Sequence, residues 1–162
     1  MSLSSNLKAA LQAAQGTASG LVRADEGDRQ ATCEVVQCDA MAVSLMELTL
    51  LTGALANVPI GPLRDASQAL CQRLTYLLEP ISPIETDADQ CVVQMRSNPP
   101  QADDNGLRYY ELLMRRGGAV TLRRYEKSSG NPRAPVSATL THEVIGRLVD
   151  DFNAAVDGAV SG

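Results

Sequence analysis

Residues 107–125 read LRYYELLMRRGGAVTLRRY. Two runs of Leu, Val, Tyr, Thr and Arg flank Gly117-Gly118, the composition of two strands joined by a tight turn. Strands of 107–116 and 120–125 around a loop Gly117-Gly118-Ala119 set Leu112 and Met114 beside Val120 and Leu122 on a buried face. Glu111, Arg115, Thr121 and Arg123 then fall on the opposite face. A two-residue loop mixes the faces. An antiparallel hairpin with one apolar side needs something to cover it, so the fold turns on finding amphipathic helices elsewhere.

They are present. In 61–78, Pro62 suits the first turn of a helix and Glu79-Pro80 closes it. Leu63, Ala66, Leu70, Leu74 and Leu77 follow one stripe, with Arg64, Asp65, Gln68, Gln72 and Arg73 off it. At ~25 cal/mol per Å² its four leucines contribute on the order of 6–10 kcal/mol before entropy is counted. A second helix is predicted over 142–156, with Val144, Ile145, Leu148, Val149, Phe152 and Val156 inward, Thr141 as cap and Gly158 as stop. Ser4–Gln15, with Leu3, Leu7, Leu11 and Ala14 at helical spacing, supplies a third.

More strands fill the remainder. Asp25-Glu26-Gly27-Asp28 turns between strands 20–24 and 29–38, and 41–51 reads as a strand on its β-branched surroundings. Residues 81–86, interrupted by Pro83, suit an edge. Cys91–Arg96 is another strand, and 97–106 and 127–138 are polar loops. The expectation is an α+β domain over 1–157, an antiparallel sheet packed against two or three helices in the order α-βββ-α-βββ(β)-α, with a flexible tail at 158–162.

Composition narrows the function. The 162 residues carry 14 Lys+Arg against 19 Asp+Glu, a net charge of −5, with one His and no Trp. The pI near 4.8 makes nucleic acid an unfavoured partner. No apolar run approaches the roughly 18 residues of a membrane span, and the opening MSLSSNLKAALQAAQG has no apolar core of a secretory signal. Cys33, Cys38, Cys71 and Cys91 form no CxxC. The odd offset between Cys33 and Cys38 puts them on opposite faces of a regular strand, and His142 lies far away. Free thiols in a reducing cytoplasm are the expectation, and no metal or cofactor is predicted.

No nucleophile elbow, phosphate loop, dinucleotide fingerprint or HExxH motif occurs. His142 reads as a surface or capping residue. Asp103-Asp104-Asn105-Gly106 lacks the alternating oxygens of a calcium loop and reads as a turn, as does Asp87-Ala88-Asp89. No catalytic residue is assigned, and an enzyme is less expected than a binding domain.

The opening hairpin stands out by charge. Residues 107–127 hold six basic and two acidic side chains, a net +4, so a chain of net −5 carries −9 elsewhere. Arginine and tyrosine are typical anchors of protein interfaces. Tyr109, Arg115, Arg116, Arg123, Arg124 and Tyr125 are therefore the candidate partner-binding residues, with an acidic protein as partner. A solvated face paired with acids from neighbouring strands is the plainer alternative. A small-molecule site or enzyme pocket between sheet and helices is the competing functional class.

In element order, size and acidity the chain resembles the small acidic chaperones of type III secretion, which run helix, three strands, helix, two strands, helix. The strands after Pro80 and the basic hairpin are additional to that pattern. The resemblance implies a homodimer that binds extended segments of other proteins.

Overall fold

A computed structural model describes residues 2–17 and 19–162. In chain order the elements are α1 (Leu3–Ala13), β1 (Gly20–Glu26), β2 (Arg29–Cys38), β3 (Ala42–Thr52), α2 (Ile60–Arg73), β4 (Ile81–Asp87), β5 (Val92–Ser97), β6 (Gln101–Asp103), β7 (Gly106–Arg115), β8 (Ala119–Lys127), β9 (Ala134–Val136), β10 (Ala138–Thr141) and α3 (His142–Ser161). The architecture is α+β. One antiparallel sheet runs β1-β2-β3-β8-β7-β5-β4, and the helices pack against it.

Side-chain alternation decides which face they cover. Leu48, Leu50, Val120, Leu122, Leu112, Met114, Val93 and Met95 belong to one buried cluster with Leu7, Leu11, Leu63, Leu70, Leu148 and Phe152 of the helices. α3 lies between α1 and α2 and contacts both. The intervening residues of the same strands face away from the helices.

Short strands fill the places where long ones diverge. β8 pairs with β3 through Ala119–Arg123; beyond that, β9 pairs with Arg124–Glu126 and β10 with Ala42–Leu45. β6 likewise continues the pairing of β7 at Gly106–Arg108, where β5 no longer reaches. Pairing their backbone groups makes strands of stretches that read as loops in sequence.

Several expectations are corrected. The hairpin loop has three residues, but they are Arg116–Gly118, with Arg115 opposite Ala119. Gly118 has φ +101°, and a Cβ there would stand 2.4 Å from the Thr52 carbonyl oxygen; its own carbonyl accepts the Thr52 N–H at 2.8 Å. Only glycine suits that position. The change moves cross-strand partners by two residues, so the faces stay as expected.

α2 stops at Arg73 rather than near Leu78. Leu74 leaves the helical region (ψ 60°) just before Thr75 and Tyr76, two weaker helix formers, and Leu78 has φ 66°. Leu74 and Leu77 are nonetheless buried. α3 continues through Gly158 to Ser161, because burial of Ala155, Val156 and Ala159 offsets the roughly 1 kcal/mol that glycine costs inside a helix. Cys33 and Cys38 do not lie on opposite faces. The pairing of β2 with β3 shifts around Val36, and this bulge re-aims Cys38 so that its Sγ donates to Leu11 O of α1 at 3.3 Å.

Thr141 caps α3 as expected, accepting from Val144 N, and Ser2 caps α1, accepting from Ser5 N. Among the described residues no helix is long and apolar enough to cross a membrane.

Candidate functional site

The helix-free face of the sheet collects the chemistry. Along β8 it presents Thr121, Arg123 and Tyr125, and along β7 Tyr109, Glu111 and Leu113. The register sets Tyr109 opposite Tyr125 and Glu111 opposite Arg123, with ring centroids 6.0 Å apart for the two tyrosines. β3 adds Glu47 and Thr49, and β5 adds Gln94 and Arg96.

Arginines lie over the rings. The Arg96 guanidinium is 5.6 Å from the Tyr109 centroid and that of Arg133 is 4.0 Å from the Tyr125 centroid, within cation–π range. Arg133 Nη1 also donates to Glu111 Oε2, and Gln94 Nε2 donates to the same oxygen at 2.9 Å. Glu111 is thus 5% exposed on a face no helix covers, a burial that charge pairing and hydrogen bonding make tolerable. Arg123 contacts Glu47 Oε2 through Nε at 2.7 Å and Nη2 at 2.6 Å, and its Nη1 lies 3.5 Å from the Tyr125 hydroxyl. Tyr125 and then Glu47 hold Arg123 further into its charged form; Glu111 and then the Tyr109 hydroxyl do so for Arg133.

Of the sequence-derived residues, Tyr109, Arg115, Arg123 and Tyr125 share this face, with Arg115 exposed at the hairpin end; the two tyrosines are not exposed as expected but buried, 9% and 7% exposed, with Arg96 and Arg133 over their rings. Arg116 lies in the loop and donates from Nε to Val58 O at 3.0 Å, tying the hairpin to the segment before α2. Arg124 is not on the surface. Successive strand residues point to opposite faces, so Arg124 follows Leu122 to the helix side. There its Nη2 donates to Glu79 Oε2 at 3.0 Å and Gln101 Oε1 at 2.9 Å, and it stacks 4.4 Å from the Tyr110 centroid. Ser97 Oγ closes the group, donating to Glu79 Oε1 at 2.6 Å and accepting from Tyr110 N at 2.9 Å.

Reading the sequence alone misses Glu47, Gln94, Arg96 and Arg133. Alternation does carry a signal for two of them, since Val93 and Met95 inward require Gln94 and Arg96 outward. Arg133 comes from the chain between β8 and β9, where no periodicity applies.

Other polar groups serve the fold. His142 is buried, with Nε2 2.8 Å from Asp39 O, so it sits inside rather than on the surface. Asp103 Oδ1 accepts from Asn105 N at 2.8 Å and Asp87 Oδ1 from Gln90 N at 3.1 Å, as expected of turn residues. Burial pushes the thiol of Cys33 up to about 12 and that of Cys71 up to about 11. Between sheet and helices the space is filled by the apolar cluster; open clefts lie at the rim, one of about 440 Å³ beside Asp28, Thr52 and Gly118 and one of about 220 Å³ beside Glu85, Gln94 and Leu113. Comparison with family models, with curated proteins and with solved structures finds no match to this chain.

Proposed function

We propose that the chain is a non-catalytic protein-binding domain, adaptor- or chaperone-like, that docks an acidic partner segment on the helix-free face. The observation that carries the reading is the group of Arg96, Arg123 and Arg133 set around the buried Tyr109–Tyr125 pair on a face that none of the described helices covers. Internal bonds to Glu47 and Glu111 hold Arg123 and Arg133 in place before a partner arrives, which lowers the ordering cost of binding. Around the tyrosine pair Arg96, Arg115, Arg123 and Arg133 outnumber Glu47 and Glu111 in a chain of net −5, a local polarity that favours an acidic segment. Four unpaired, buried thiols suit a reducing compartment such as the cytoplasm.

An acidic, leucine-bearing peptide titrated into ¹⁵N-labelled protein tests the proposal. Amide shifts should concentrate at Tyr109, Glu111, Arg123 and Tyr125, and Arg115→Glu with Arg123→Glu should remove them. Shifts confined to the helices, or unchanged in the double variant, place binding elsewhere and overturn it.

A further inference from the structure

The two outer strands of the sheet, β1 and β4, are protected very differently. β4 carries Pro83, a register irregularity between Pro83 and Glu85, and the acidic Glu85 and Asp87. These are devices by which natural sheets refuse another strand. β1 lacks the proline and the irregularity: its seven residues pair with β2 in unbroken register from Gly20↔Val35 to Glu26↔Arg29, and its acidic Asp25 and Glu26 are accompanied by the basic Arg23.

The direction of its free backbone groups follows from the hairpin. Glu26↔Arg29 closes a two-residue turn and is therefore a hydrogen-bonded pair, so by alternation Asp25, Arg23 and Leu21 turn their N–H and C=O away from β2. Asn6 Nδ2 reaches Asp25 O from α1 at 3.0 Å, which is consistent with that direction. The carbonyl retains a second lone pair.

Charge then selects a partner. Arg23 and Asp25 are both exposed and share one face of β1, and Arg23 forms no ion pair among the described residues. We infer that β1 pairs antiparallel with β1 of a second copy of this chain, with Ala24 opposite Ala24 on the two-fold axis. In that register Arg23 of each copy stands opposite Asp25 of the other, giving two cross-strand ion pairs and four main-chain hydrogen bonds. The neighbouring register, Arg23 opposite Arg23, sets like charges against each other and is rejected. Ala24 at the axis adds no bulk. On the helix side, Ala10, Ala13 and Ala14 of α1 line a cleft of about 300 Å³ against Gly20–Val22, so the element nearest the junction presents small side chains. A two-fold axis normal to the sheet leaves both helix-free faces on the same side. The inference is independent of the docking function proposed above.

Sedimentation equilibrium across a concentration series tests it. The wild type should have the mass of two chains. Arg23→Asp and Asp25→Arg should each weaken the dimer at least about tenfold, by replacing two attractions with two repulsions. The double variant Arg23→Asp/Asp25→Arg should restore it. A monomeric wild type, single reversals that leave the dimer intact, or a double variant that stays monomeric while its circular dichroism matches wild type would each overturn the inference.

Discussion

Replacing Glu79 by Ala separates a structural role for Arg124 from a role in partner binding. The Arg124 and Glu79 side chains are 10% and 14% exposed, and Glu79 also accepts from Ser97. Losing the carboxylate leaves a guanidinium held by Gln101 and the Tyr110 ring, with Nη1 already lacking a partner among the described residues. Removing one member of a buried pair costs about 3–5 kcal/mol; the remaining Gln101 bond and the slight exposure reduce that to about 2–4 kcal/mol here. The exposed pair provides the internal control. Arg123 and Glu47 are 46% and 27% exposed, and Glu47→Ala should cost under about 1 kcal/mol. Urea unfolding followed by far-UV circular dichroism reads both changes as midpoint shifts at constant slope. The double variant Glu79→Leu/Arg124→Met, which removes both charges, should recover most of the loss. If Glu79→Ala costs no more than Glu47→Ala, the Arg124 pair is effectively solvated and the assignment of Arg124 to the interior is refuted.

Three further outcomes are expected. Gly118→Ala should lower stability by about 2–4 kcal/mol, because φ +101° and the 2.4 Å approach to Thr52 O leave no room for a Cβ, whereas Gly117→Ala, with open space around it, should change the melting temperature little. The N–H groups of Ala42 and then Met41 hold the Asp39 carboxyl below its ordinary range, so its contribution is present above the unfolded carboxylate value of about 4 and is lost as pH falls through the lower folded one. Asp39→Asn should accordingly flatten the acid limb of a stability–pH curve. Cys33 and Cys71, with thiols raised by burial, should resist iodoacetamide at pH 8 in the native protein and label fully in denaturant; rapid native labelling would contradict their burial.

The sequence by itself determined the elements whose residues repeat with the period of their secondary structure. Leu63, Leu70, Leu148 and Phe152 announce helices, and Leu112, Met114, Val120 and Leu122 announce a hairpin, because burial on one face writes a 3.6- or 2-residue period into the chain. The same alternation places Arg123 and Arg124 on opposite faces, information that a tally of arginines and tyrosines discards. Tertiary structure decided the rest. β9 and β10 are strands only because β3 and β8 splay apart and leave backbone groups to be paired, a condition set by residues some ninety positions away in chain. Val36 bulges to re-aim Cys38, and Gly158 stays helical because Ala159 finds a buried place. The candidate site is of this second kind. Arg133 reaches Glu111 and Tyr125 from outside any periodic element, and Glu47 meets Arg123 across strands 76 residues apart. Electrostatic partners are chosen by distance in space, and only the folded sheet supplies that distance.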